Sequence, residues 1–235
     1  MIRLAIALLL MLGTPAIGAC RQALVLGLDI SGSVDDGEYR QQLDGLAGAL
    51  AAPAVRAALL AMPGAAVDLA VFEWSGPQDQ RLILTWRTLG NDAAITQAAG
   101  ALAATRRRPG DPSTALGSAL AFGSAALTQR SACWRHVLDI SGDGTSNAGP
   151  RPQDVRDALP PPDMTINALV IGSETLVRGE RRAVDANELS AYFRANVIRG
   201  DSAFVETALG FADYRTAMER KLLRELQVIA IGKAP

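Results

Sequence analysis

The chain has 235 residues, 49% of them apolar and 20% charged, which is enough for one sizeable core and ordinary for a globular domain. With 23 Lys and Arg against 24 Asp and Glu, the formal net charge is −1, which excludes a general electrostatic grip on nucleic acid. The basic residues are nearly all arginine and scattered; the one tight run, Arg106-Arg107-Arg108, reads as a solvated loop.

The first residues read as an export signal. Arg3 supplies a positive start, the nine residues Leu4 to Leu12 form an apolar run, and Gly13, Pro15 and Ala16 lead to Gly18-Ala19. That run is too short for a bilayer core of roughly 30 Å but suits a cleavable signal. Cleavage near Ala19 leaves a single mature domain over 20–232, exported to the periplasm or secreted. No other stretch is long and apolar enough for a membrane span. Ile17-Gly18-Ala19-Cys20 loosely resembles a bacterial lipobox, so a lipid anchor at Cys20 is the alternative.

Strand-like and helix-like segments then alternate. Ala23–Leu28 is a short apolar run suited to a strand buried on both faces. Glu38–Ala52 reads as a helix capped by Asp35 or Asp36, and Pro53 opens a second helical piece to about Ala61. Ala66–Trp74 and Arg81–Trp86 are strand-like, and the turn-rich Ser75–Asp79 between them predicts an antiparallel hairpin. A helix follows over Asn91–Thr105, then a loop over Arg106–Asp111 and a helix over Thr114–Leu127. Arg135–Ile140 is a strand, Ser141–Pro152 a loop, and Gln153–Leu159 a short helix. Thr165–Ile171 is a strand, Glu188–Arg194 a helix and Ala203–Thr207 a short strand. The last helix starts near Phe211, with Phe211, Tyr214, Met218, Leu222 and Leu226 as its core stripe. This alternation predicts an α/β fold with a mostly parallel sheet and no second domain.

In such a sheet, ligands bind beyond the carboxyl ends of the strands, where strand order reverses. Asp29 ends the first strand in LGLDISGSVDDGEY, Thr114 opens a helix in GDPSTALGSAL, and Asp143 follows a strand in DISGDGTSN. If the first and fourth strands are neighbours, these three loops meet at one edge. They gather Asp29, Ser31, Ser33, Thr114 and Asp143, which offer only oxygen. Such a set suits Mg²⁺, Mn²⁺ or Ca²⁺ rather than zinc or copper. Gly32 between the serines lets another backbone pass close by. Two carboxylates only just neutralise a divalent ion, and octahedral coordination leaves a position for a partner's carboxylate. The bland alternative is that Asp29 and Asp143 cap the following turns with no ion, which leaves two carboxylates crowded without compensation.

These motifs resemble the von Willebrand factor type A domain with its metal-ion-dependent adhesion site. D-x-S-x-S is matched at Asp29, Ser31 and Ser33, and T-x-x-G-x-A-L at Thr114, Gly117, Ala119 and Leu120. The third motif, an aspartate followed by glycine, is matched at Asp143-Gly144. ALVLGLDISGSVDDGEY with HVLDISGDGTSNAG is more narrowly similar to a DUF1194-like group of exported bacterial proteins with this fold. The resemblance spans roughly 21–227. It implies a three-layer, doubly wound sheet with helices on both faces and one antiparallel edge strand. It also implies serines and threonine that contact the metal directly or through water, and aspartates that act partly through water. One departure stands out: Asp111-Pro112-Ser113 replaces the usual glycine-rich approach to the threonine, which reshapes the rim or adds an acid beside the ion.

Cys20 lies just ahead of the first strand and Cys133 just ahead of the fourth, so both belong at the end of the sheet opposite the ligand set. If those strands are adjacent and parallel, the thiols come within bridging range, and an exported chain permits a disulfide. Catalytic machinery is sparse. The single histidine, His136, falls inside a buried strand and reads as a packing residue. No nucleophile elbow, Walker loop or dinucleotide fingerprint appears. The sequence therefore favours a metal-dependent binding module that takes an acidic group of a protein partner. Loops Ser75–Asp79, Arg106–Asp111 and Ser146–Arg151 would set its specificity. A metal-assisted hydrolase, with Asp35, Asp36 or Asp111 as added base, is the alternative. A structural envelope protein with a stabilising ion is the third reading.

Overall fold

The computed structural model describes residues 18–172, 175–177, 180–182 and 184–227. The apolar run Leu4–Leu12 and residues 228–232 lie outside them. Six strands form one sheet: β1 (Ala19–Asp29), β2 (Ala65–Trp74), β3 (Gln80–Thr88), β4 (His136–Gly142), β5 (Thr165–Ile171) and β8 (Val205–Ala208). Their order is β3-β2-β1-β4-β5-β8. All neighbouring pairs are parallel except β2 with β3, so the expected hairpin supplies the one antiparallel edge. β6 (Thr175–Val177) and β7 (Glu180–Arg182) form a separate small hairpin, which the sequence reading did not anticipate because three-residue strands carry almost no periodicity.

Alternation along β1 feeds two cores. Leu24, Leu26 and Leu28 face a cluster shared with helices α1 (Asp36–Ala51), α3 (Asp92–Ala103) and α7 (Tyr214–Gln227). Ala23 and Val25 face the other side, against α4 (Leu116–Thr128) and α6 (Val184–Asn196). Helices α2 (Pro53–Leu59) and α5 (Pro152–Arg156) complete the outer layers. The result is the expected three-layer, doubly wound α/β fold. Among the described residues no helix is long and apolar enough to cross a membrane.

Local chemistry sets most element ends. Asp35 caps α1 in a full capping box with Glu38, and Asn91 caps α3. Pro53 opens α2, and the buried Arg21 guanidinium closes it by donating to the Ala58 and Leu59 carbonyls at 2.7 and 2.9 Å. α4 begins at Leu116, not at Thr114 as the sequence suggested. The main chain of Thr114 is diverted: its N–H donates to Asn147 Oδ1 at 2.8 Å and its carbonyl accepts from the Asn147 N–H at 2.9 Å. α7 likewise starts at Tyr214, after a single 3-10 turn over Phe211–Asp213, though the predicted stripe is buried as expected. α6 extends beyond the predicted Glu188–Arg194 at both ends.

Cys20 and Cys133 form a disulfide with Cα atoms 4.6 Å apart, which engages the sulfur that a lipid anchor would use. It ties the start of β1 to the turn before β4, reinforced by the Trp134 N–H donating to the Cys20 carbonyl at 3.0 Å.

Candidate metal centre

The reversal of strand order falls between β1 and β4, which leave their carboxyl ends side by side. Asp29 is the last residue of β1 and is fully buried. Its Oδ1 accepts the Ser31 N–H at 2.8 Å, which folds the DISGS loop back over the strand end. Ser31 and Ser33 then present their hydroxyls to each other at 3.3 Å, and Ser33 Oγ donates to Asp143 Oδ1 at 2.7 Å. The β1 and β4 loops therefore meet through the Ser33–Asp143 side-chain contact.

The third loop joins through the backbone. The Gly32 N–H donates to the Pro112 carbonyl at 2.9 Å, and a Cβ on Gly32 would lie 3.0 Å from that oxygen. Gly32 is needed for close approach, and the unusual Asp111-Pro112-Ser113 segment is what approaches it. Asp111 itself turns away: its Oδ1 accepts from Ser113 N and Ser113 Oγ at 2.8 and 2.6 Å, and its carboxylate packs over Gly76. Asp35 is engaged as the α1 cap, and Asp36 pairs with Arg107 at 3.1 Å. None of the three rim acids offered as an added base points freely into the cluster.

Thr114 is held, nearly buried, by residues that sequence reasoning passed over. Besides the Asn147 clamp, Ser146 Oγ donates to the Thr114 carbonyl at 3.2 Å and accepts the Leu116 N–H at 3.3 Å. Gln42 Nε2 donates to the Asp29 carbonyl at 2.9 Å. The polar run SGDGTSN was the available clue for Ser146 and Asn147. Nothing in the sequence pointed to Gln42, which lies inside α1.

The electrostatics are unusual. Burial, and then the charge of Asp143, push the Asp29 carboxyl up from 3.8 to about 7, with the Ser31 hydrogen bonds opposing. Asp143 is also raised by burial, against the hydrogen bond from Ser33. Asp29 Oδ2 is buried without a hydrogen-bond partner, and neither carboxylate has an ion-pair partner among the described residues. The same fold treats its structural carboxylates differently. Buried Asp139 and Glu225 share the buried Lys221 ammonium, with Glu225 at 2.7 Å, and Asn167 donates to Glu225 at 2.7 Å. A buried carboxylate without a cation is costly, so the Asp29–Asp143 pair is chemically incomplete in a way the Lys221 cluster is not. Cations or a proton are the two ways to complete it.

A sulfur-bearing grouping exists at the far end of the sheet, where Cys20, Cys133 and Asp68 converge. Its sulfurs are joined to each other, and Asp68 is held by Arg130 at 3.0 Å and Thr88 at 2.7 Å, so those donors are already engaged. His136 is buried, with Nε2 3.1 Å from the Arg130 carbonyl, and is a packing residue as expected.

Comparison with solved structures places the fold. Proximal thread matrix protein 1 from the mussel byssus superposes with a TM-score of 0.62 at 16% identity, over 89% of this chain and 48% of that one. A second structure of that protein has a zinc-occupied metal-ion-dependent adhesion site, with a TM-score of 0.58 at 16% identity over the same shares. A von Willebrand factor type A protein from Catenulispora acidiphila matches with a TM-score of 0.58 at 16% identity, over 88% of this chain and 43% of that one. The chain thus spans about half the length of these proteins or less. No curated protein matches it in sequence. The architecture is that of the von Willebrand factor type A domain. Over residues 19–230 the sequence matches the family model described as "Protein of unknown function (DUF1194)", and the chain belongs to that family.

Proposed function

We propose that this chain is an exported, metal-dependent binding module. In this reading Asp29, Ser31, Ser33, Thr114 and Asp143 hold one divalent cation, Mg²⁺ or its near relatives Mn²⁺ and Ca²⁺, and the ion accepts an acidic group of a protein partner. The observation that carries it is the buried, unpartnered Asp29 Oδ2 beside Asp143, with the Ser31 and Ser33 hydroxyls in the same cluster and, among the described residues, no basic side chain to compensate. All donors are hard oxygens, which fits an alkaline-earth ion better than a thiophilic one. A bound divalent ion would supply two positive charges to the carboxylates and a Lewis-acidic centre for a partner's oxygen.

The chain's own residues do the positioning. The Asp29 carboxylate is fixed by the Ser31 N–H, and its carbonyl by Gln42. Asn147 and Ser146 fix Thr114 relative to the Asp143 loop. The occupied metal site in the mussel byssus protein supports a site of this kind in this fold. The disulfide supports an oxidising location, and the apolar segment Leu4–Leu12 supports export. The engagement of Asp35, Asp36 and Asp111 elsewhere favours binding over hydrolysis.

Calorimetric titration of Mg²⁺ and Mn²⁺ into metal-free protein tests the reading. Saturable binding is expected in the wild type and not in Asp29→Ala or Asp143→Ala, provided each variant gives a cooperative unfolding transition. Folded wild type that takes up neither ion, nor Ca²⁺ in a parallel titration, would remove the proposal.

A further inference from the structure

The arginine run reads from sequence as a solvated loop, but in the fold it walls a cleft. Asp36, Tyr39 and Arg40 of α1 and Arg106, Arg107 and Arg108 beyond the end of α3 line a cavity of about 860 Å³. Its lining carries four arginines and a single aspartate. Arg107 is the structural member. It pairs with Asp36 at 3.1 Å, lies 5.6 Å from the Tyr39 ring centroid, and donates to the Ile30 carbonyl at 3.3 Å. Ile30 stands between Asp29 and Ser31, so the cleft opens directly beside the ligand loop. Arg40 pairs with Asp44 at 3.1 Å and donates to the Thr105 carbonyl at 2.8 Å, which fixes the arginine segment against α1. Arg106 and Arg108 are exposed and have no ion pair among the described residues.

The opposite flank has the opposite charge. Helical periodicity puts residues 36, 39 and 40 on one side of the first turns of α1, and residues 38 and 41 on another. On that second side a cavity of about 560 Å³ is lined by Ser33, Glu38 and Asp143, and the neighbouring one of about 370 Å³ by Asp143 and Glu188; among the described residues neither has a basic residue in its lining. The field across the face therefore runs from acidic at Glu38 and Glu188, through the oxygen cluster, to basic at the arginines.

We infer that the arginine cleft is the second half of the partner site and takes an acidic peptide segment. One carboxylate of the segment reaches the cation, and the acidic residues next to it run over α1 to Arg106 and Arg108. This rests on the metal-dependent reading for the first contact, but the cleft's charge does not. The arrangement gives the ligand a direction, because a chain running the other way would set its carboxylates against Glu38 and Glu188. Two charged walls of opposite sign also favour long-range steering, which salt weakens.

The probe is a fluorescein-labelled peptide of alternating aspartate and glycine, followed by anisotropy with and without Mg²⁺. An asparagine-glycine peptide and an oligothymidylate of matched charge are the controls. The variant is Arg106→Glu with Arg108→Glu, at two exposed positions outside the ligand set. The acidic peptide should bind the wild type in Mg²⁺, about tenfold more weakly to the variant, while the Mg²⁺ titration of the variant stays at the wild-type value. Unchanged Mg²⁺ binding with peptide affinity equal in both proteins would overturn the cleft and spare the metal site. Arginine-dependent peptide binding in a protein that takes up no Mg²⁺ would do the reverse. Failure of the wild type to bind the acidic peptide would also overturn the cleft assignment. So would an oligothymidylate bound as tightly with the same arginine dependence, which would mark a general polyanion patch.

Discussion

At the scale of single residues, Asp29 departs clearly from ordinary protein chemistry. Its carboxyl is displaced from 3.8 to about 7, first by burial and then by Asp143. Between those values the folded, metal-free chain keeps a proton that the unfolded chain has released. That contribution to stability is full below about pH 4 and is lost as pH rises through 7, an effect of at most about 4 kcal/mol. Asp139 is shifted in the same direction, by burial and against the attraction of Lys221, so the wild-type profile mixes the two. The comparison that isolates Asp29 is Asp29→Asn, which keeps an oxygen to accept the Ser31 N–H but cannot ionise. In chelator, Asp29→Asn should match the wild type near pH 4 and exceed it at pH 8, with no response to Mg²⁺. Denaturant midpoints at the two pH values measure this. Parallel pH profiles for the two proteins would show that Asp29 ionises at an ordinary value and that the pair needs no cation.

At the scale of elements, the glycine of the second motif shows what the motif is for. Gly117 lies in the first turn of α4, where an added Cβ would sit 2.1 Å from the Pro150 carbonyl oxygen. It therefore lets the loop after Asp143 pack onto the helix, and that loop is the one whose Ser146 and Asn147 hold Thr114. Gly117→Ala should destabilise by roughly 1–3 kcal/mol through overpacking, and should weaken Mg²⁺ binding although no ligand is touched. Gly100→Ala in α3, where a Cβ meets nothing within 4 Å, should instead stabilise by up to about 1 kcal/mol and leave the ion untouched. Wild-type Mg²⁺ affinity in Gly117→Ala would break the link between the two loops. The same elements mark what sequence could carry. Asp29, Ser31, Ser33 and Asp143 were legible because each sits a fixed step beyond a strand whose apolar run is unmistakable. The disulfide was legible for the same reason, at the other end of the same strands. Thr114 as the start of α4 was not, because Asn147 takes its backbone from 33 residues away. Gln42 and the Lys221 cluster were equally hidden: a polar residue on a helix reads as solvated until the fold places an unpaired carbonyl or carboxylate against it.

For the whole molecule, the pair β1–β4 is fastened at both ends by different chemistry. The disulfide joins their amino-terminal ends, and the carboxylate–hydroxyl cluster joins their carboxyl ends. Nine strand steps separate Cys20 from Asp29, about 30 Å at the usual rise. The strands between are buried on both faces and cannot bend independently of the helices that cover them. Two perturbations so far apart, with no shared partner, should add within about 0.5 kcal/mol. Reduction opens a crosslink between residues 113 apart in sequence, worth up to about 4–5 kcal/mol in the chain-entropy model. Saturating Mg²⁺ should stabilise by about 2.7 kcal/mol at a hundred times its dissociation constant. Unfolding the wild type and Cys20→Ser/Cys133→Ser with and without Mg²⁺ closes the cycle. The expected result is the same Mg²⁺ increment in both proteins and the same Mg²⁺ affinity by calorimetry. A smaller increment without the disulfide would mean that the bridge sets the spacing of β1 and β4 as far as the ligand loops, so that the sheet transmits strain along its strands and the two ends act as one site.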